Sequence, residues 1–403
     1  MRWLSAFILS ATACVSAGAS EEWFDRMEQA LSFSAWNDTL RARLSGLLTL
    51  EYYQVEQPAP GMIFTTEDHL FRPRLGLQLQ GQYGAQLFGF ALVRFDRGFD
   101  PSNGDLRGRL EEYALTYVSP HESGINLKVG QFATVIGNWV ARHDAWDNPF
   151  ITAPLPYEHQ TMIYDAEAPA SPADFVHFEA DEKYGYNPII WGPSYATGAA
   201  VSGRLGHFEY AAEVKNTGPS SRPEVWPLRE TGFDRPAYNA RLGFRPDLRW
   251  SFGISASDSA FYLPHAENLP PGTDHHDYRQ VLFGTDLGFA WHHLQVWAEL
   301  FDCRFEVPRV GRVRTLAGYV ETKYRFGATM YGALRWNRQT FSSIPDGSGS
   351  QLPWGNDVWR VDAAAGFRLS AHMEWKLQAS GQNAPTGTGH VQANYSTQLN
   401  VRF

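Results

Sequence analysis

The chain has 403 residues and a formal net charge of −9, from 34 Lys and Arg against 43 Asp and Glu; that balance argues against a nucleic-acid binder. Mean hydropathy is −0.35, and past the N-terminus no apolar run approaches the roughly 20 residues that a membrane helix needs. Aromatic residues make up 14% while cysteines number only 2, so a disulfide-stapled scaffold is excluded.

The chain opens MRWLSAFILSATACVSAGAS. One Arg, a short apolar stretch and then small residues have the form of a secretory signal peptide spanning 1–19, with Ala17-Gly18-Ala19 as the cleavage site. Cys14 lacks the upstream leucine that a lipoprotein cysteine usually has. Cleavage would leave Cys303 alone, a small strand residue with no partner for a disulfide. Glu21–Leu31 reads as a short amphipathic turn within a segment, 20–40, that precedes the main fold.

From residue 41 onward, period-two alternation dominates. About sixteen segments carry it: 41–53, 69–82, 86–96, 110–119, 126–136, 196–205, 208–216, 237–245, 248–257, 278–290, 292–306, 312–325, 328–339, 357–368, 372–383 and 390–403. In the segment around Met373, Trp375 and Leu377, one face is apolar while Glu374, Lys376 and Gln378 form the other. Connections alternate in length. Tight turns fall at Tyr83-Gly84-Ala85, Gly206-His207, Pro246-Asp247, Trp291, Gly327 and Ser370-Ala371; longer links span Val55–Asp68, Gly98–Arg109, Gly137–Tyr195, Thr217–Pro236, Asp258–Asp277 and Thr340–Asn356. A soluble sandwich does not sort its connections by length, and a propeller would repeat signature residues, which are not seen here. The pattern predicts an all-β fold: a closed antiparallel transmembrane β-barrel of about 16 strands over 41–403, with a long loop at 137–195.

The last fourteen residues, HVQANYSTQLNVRF, alternate to the final side chain. Ending in Val401-Arg402-Phe403, they resemble the terminal strand of bacterial outer-membrane proteins. Asn126-Leu127-Lys128-Val129-Gly130-Gln131-Phe132 is similar to a strand segment of phosphate-selective-type porins. The resemblance implies a general or substrate-selective porin of a Gram-negative-type outer membrane. It further implies a periplasmic 20–40 segment, recognition by the barrel-assembly machinery through Phe403, contact with the bilayer and lipopolysaccharide, and trimerisation by analogy. The function so implied is a passive channel for small hydrophilic solutes. Two other classes stay open: a barrel sheathing a multihaem cytochrome, although the chain has no C-x-x-C-H haem site of its own, and an outer-membrane hydrolase, for which no nucleophile–base spacing stands out.

Arg or Lys facing lipid at midplane costs about 2–4 kcal/mol, so charged residues within strands are expected to point into the lumen. The candidate pore-lining residues are Arg72, Arg94, Asp96, Glu112, Lys128, Glu209, Glu213, Arg241, Glu299, Lys323, Arg335, Arg360, Asp362, Glu374 and Lys376, with Arg74, Arg245, Glu321, Arg325 and Arg368 beside them. Opposite charges on neighbouring strands could simply pair. The 137–195 loop, about 59 residues long, far exceeds an ordinary connection. It is expected to fold into the lumen and narrow it through Trp139, Arg142, His143, Asp144, Trp146, Asp147 and Asn148. Asp274-His275-His276-Asp277 has metal-ligand chemistry but lies among polar turn residues. No metal, cofactor or catalytic residue is expected, and no nucleic-acid partner.

Overall fold

In the computed structural model, residues 17–97, 106–121, 124–177, 179, 183–345, 349–383 and 390–403 are described. The greater part of the expected signal peptide, 1–16, lies outside them, as does 98–105 of the Gly98–Arg109 link. The expected amphipathic turn is a helix, Ala17–Ala30, followed by a four-residue strand β1 (Ser32–Ala35).

Sixteen strands form the wall: β2 (Leu40–Val55), β3 (His69–Tyr83), β4 (Leu87–Asp96), β5 (Arg107–Tyr117), β6 (Asn126–Phe132), β7 (Ala196–Leu205), β8 (Phe208–Lys215), β9 (Ala237–Phe244), β10 (Trp250–Ala260), β11 (Arg279–Trp291), β12 (Leu294–Val307), β13 (Gly311–Arg325), β14 (Met330–Phe341), β17 (Val358–Arg368), β18 (Met373–Asn383) and β19 (Val391–Arg402). Two three-residue strands, β15 (Ser343–Pro345) and β16 (Gln351–Pro353), make a small hairpin in the link between β14 and β17. Every wall strand pairs antiparallel with its sequence neighbour, and β19 closes onto β2 from Asn394↔Val55 to Arg402↔Leu47. Closure abolishes both sheet edges. The first part of β2 has a different partner on that side: β1 pairs there, Ser32↔Arg43 through Ala35↔Leu40.

The seam explains why order persists to the last residue. Gly46 and Phe403 exchange backbone hydrogen bonds of 2.9 and 3.0 Å. The Phe403 ring lies over Gly46, in the space a side chain there would take. Inward from it, Gln392, Asn394, Ser396, Gln398 and Asn400 are all buried, while Tyr395 and Val391 are exposed on the outer face.

The outer face is built for lipid. Trp36, Tyr83, Phe208, Phe244, Trp250, Trp291, Tyr324 and Phe326 are exposed near the tight-turn end, and Tyr52, Phe71, Tyr238, Phe283, Trp336 and Tyr395 nearer the long-loop end. Two aromatic girdles bounding an apolar band mark a membrane-spanning barrel. The link between β12 and β13 is the exception to the long–short rhythm, since β12 ends at Val307 and β13 starts at Gly311.

One backbone position is narrowly specified. Gly130 sits at φ +145°, and a side chain there would run into the backbone of Tyr113 and Ala114 on β5. Nearly every L-residue avoids that conformation. Gly130→Ala is expected to destabilise the barrel by on the order of 2–3 kcal/mol, read as a lower denaturant midpoint of the heat-modifiable folded band on gels. An unchanged midpoint would show that β6 can straighten at no cost.

Candidate lumen and constriction

The lumen is largely filled by the chain itself. The inner wall of β11–β13 carries an apolar patch: Leu282, Phe301, Cys303, Phe305, Val313, Ala317 and Tyr319 are all buried. Against it pack Ile136, Trp139, Tyr157, Ile163, Ile189, Ile190 and Phe261 from the long links, forming one hydrophobic cluster inside the barrel. Burying this area holds the loop inside, at roughly 25 cal/mol per Å² of apolar surface removed from water.

Polar groups fix the loop's path. The Glu299 carboxylate accepts from the Asn138 and Trp139 N–H groups and from the Tyr157 hydroxyl at 2.8 Å. Arg142 pairs with Glu321, donates to the Tyr319 hydroxyl at 3.0 Å, and lies 4.3 Å from the Trp297 ring centre. Further on, the wall reads the loop backbone. Lys376 donates to the Ala145 and Asn148 carbonyls, the latter at 2.6 Å. The Gln378 amide oxygen accepts from Ile151 and Thr152, and Asn337 accepts from Leu155. Arg335 donates to Thr152, and Arg360 to Ala153 and Glu158. The loop thus runs along the wall from β12 round to β19.

Opposite, against β2–β5, a cavity of about 890 Å³ remains. Its wall carries a ladder of paired charges. Arg72 meets Glu51 at 2.7 Å, Arg74 meets the same carboxylate, Arg94 meets Glu111 at 2.7 Å, and Arg109 meets Asp96 at 2.5 Å. Facing them on the loop are His143, Asp144, Trp146, Asp147 and Asn148. Trp146 is flanked by guanidinium groups, Arg402 at 4.1 Å and Arg368 at 5.3 Å from the ring centre. His143 bridges Val140 O at 2.6 Å and the Tyr195 hydroxyl at 2.7 Å. At the long-loop end, Met62, Ile63, Phe64, Trp191 and Trp226 close in over the cavity, with Lys183 donating to the Ile63 carbonyl at 3.2 Å.

The sequence-derived candidates therefore separate spatially. Arg72, Arg94, Asp96 and Glu112 border the cavity together with the loop tip. Glu213, Glu299, Arg335, Arg360, Asp362, Glu374 and Lys376 are buried, several of them under the loop they hold. Arg241 pairs with Asp286, and Glu209 with Arg245, nearer the tight-turn end. Lys128 and Lys323 lie over aromatic rings, the latter 4.2 Å from Tyr331. Glu51, Arg109 and Glu111 were not singled out in the sequence. Glu111 is hidden by a β-bulge: the β4–β5 register shifts between Leu92 and Val93. Strict alternation admits only one of Glu111 and Glu112 to the inner face, whereas the bulge lets both border the cavity.

One loop group has a strongly displaced titration. Burial pushes the His159 imidazole from its ordinary 6.5 down to about 4, with repulsion from Arg360 and Lys183 adding to the effect. The docked loop holds the neutral ring. Its folded value lies below the unfolded one, so its contribution is complete above about pH 6.5 and is lost as pH falls towards 4. Between pH 7 and 5, His159's own share of loop undocking should rise roughly ten- to thirtyfold, read as the difference between the intact protein and His159→Gln in current noise or protease cleavage within 144–160. His159→Gln should abolish that dependence; equal pH profiles for both proteins would exclude His159 as its source.

No family model matches the sequence, and no curated protein matches it. Solved structures do match in fold. OmpT, an outer-membrane protein of Vibrio cholerae, is 8% identical and aligns over 92% of this chain and 99% of that one, with a TM-score of 0.55. The anion-selective porin of Comamonas acidovorans is 10% identical over 90% and 100% of the two chains, at 0.56. The outer-membrane channel DcaP of Acinetobacter baumannii is 10% identical over 92% and 99%, also at 0.56. The chain has the porin-type barrel fold.

Proposed function

We propose that this protein is a passive channel of a bacterial outer membrane that admits small hydrophilic solutes, narrowed by the 137–195 loop. One observation carries the reading: the loop is tied along the β12–β19 side and leaves a polar, charge-lined cavity against β2–β5. Charged and aromatic groups side by side can replace part of a solute's hydration as it passes. The lipid-ready exterior and the fold shared with porins support the location. Filling of the lumen by the chain's own residues speaks against a sheath around a cytochrome, which needs an open bore. No catalytic role is proposed.

The same reading makes 1–19 the signal peptide and Phe403 the contact for barrel assembly, with lipid and lipopolysaccharide around the wall. A homotrimer is consistent with one neighbour of this fold, the trimer form of OmpT, and native mass spectrometry in detergent would decide it. The decisive experiment is planar-bilayer recording on the purified, heat-modifiable protein. Stepwise conductance is expected, with a reversal potential in a salt gradient that reports ion preference. A correctly folded barrel that passes no current would defeat the proposal.

A further inference from the structure

The link between β10 and β11 ends in a short turn, His275–Asp277, that the channel reading does not use. Asp274 caps it: its side chain accepts from the His276 N–H at 2.6 Å, and the Asp277 side chain accepts in return from the Asp274 N–H at 2.9 Å. This reciprocal capping box fixes the local backbone. As a result, three side chains with metal-ligating atoms are gathered. One donor atom each from Asp274, His275 and His276 lie within 4.8 Å of one another, and the two imidazole rings are centred 3.6 Å apart. The Nδ1 of His276 is screened from solvent and has no hydrogen-bond partner in the protein. That is an unusual state for a ring nitrogen in a polar loop, because buried polar atoms are normally paired.

We propose that Asp274, His275 and His276 bind a borderline transition-metal dication, Zn²⁺ being the reference case, on the long-loop face of the barrel. Two imidazoles and a carboxylate form a donor set of the kind such ions take, with bonds of about 2.0–2.2 Å. Tetrahedral bonds of that length set donors about 3.3–3.6 Å apart, closer than the 4.8 Å within which the present donor atoms lie, so side-chain rotation has to close the cluster on the ion. A hard ion such as Mg²⁺ prefers oxygen ligands and keeps its water, and is not expected there. The surrounding charge is mixed. Asp277 shares the turn, Asp234 acts on both imidazoles from the 217–236 link, and Arg235 and Arg279 act in the opposite sense on His276.

The test is calorimetric titration of the full barrel in detergent, without a histidine tag, using ZnCl₂ and MgCl₂ separately. One Zn²⁺ per chain with micromolar affinity is expected, with no Mg²⁺ uptake. His275→Ala and His276→Ala should each weaken Zn²⁺ at least about tenfold, the usual scale for loss of a ligand or its support, and Asp274→Asn should weaken it as well. No residue of the turn is fully buried, so these variants keep the barrel, which heat-modifiability verifies. Absence of saturable Zn²⁺ binding would overturn the proposal. So would binding that survives the His275→Ala/His276→Ala double variant, since the chain has 13 histidines in all. Neither outcome bears on conductance, so this inference and the channel proposal stand or fall separately.

Discussion

Deleting residues 144–157 will raise single-channel conductance roughly two- to threefold, because current follows the free cross-section of the pore, and will move the reversal potential toward the anion. The segment DAWDNPFITAPLPY contains two carboxylates, Asp144 and Asp147, and no basic residue. Its removal also uncovers cations it now occupies. Lys376 donates to the Ala145 and Asn148 carbonyls, and Arg335 to Thr152. With the loop gone, these groups face water and the permeating ion. They exchange loop carbonyls for hydration, so the barrel itself should still assemble, and of the residues named above against the apolar wall patch only Tyr157 is lost. Bilayer recordings of the deletion and of the intact chain, with gel shifts to verify folding, provide the check. Unchanged conductance in a folded deletion would mean that the narrowest point lies elsewhere, beneath Phe64, Trp191 and Trp226.

Asp362→Ala should be the most destabilising single substitution in the wall, by about 3–5 kcal/mol, the usual consequence of leaving a buried charge without its partner. The Asp362 carboxylate is shared by two buried guanidinium groups, Arg335 at 2.8 Å and Arg360 at 3.1 Å, and it also accepts from Asn337 at 3.0 Å. All three charged side chains are almost wholly shielded. Removing the carboxylate leaves two cations side by side, with Glu321 3.7 Å from Arg335 and Glu158 beside Arg360 as the remaining compensation. The denaturant midpoint of the folded band should fall accordingly. Replacing Arg335 with Met in the Asp362→Ala background should restore part of the loss, since one orphaned cation is then removed. A midpoint equal to that of the intact protein would show that water enters and screens the site.

How much of this was legible in the sequence depends on the range of the interaction. All sixteen wall strands lie where period-two alternation puts them, because each residue's face is fixed by its parity and by the high cost of placing charge against lipid. Closure between the first and last wall strands was legible for the same reason: the alternation runs through Phe403. Lys376, Arg360 and Asp362 are buried on the side that the loop covers, where Arg360 and Lys376 donate to loop carbonyls. Glu111 and Glu112 show the limit of parity, since one bulge changes the face of every residue beyond it. The amino-acid sequence determined a closed barrel, its strand number and its lipid-facing side, because these follow from local alternation and the energy of burial. Tertiary structure alone decided which side of the lumen stays free. That choice rests on contacts between residues far apart in the chain, such as Tyr157 with Glu299, Glu158 with Arg360 and Trp146 with Arg402, whose partners no local pattern specifies.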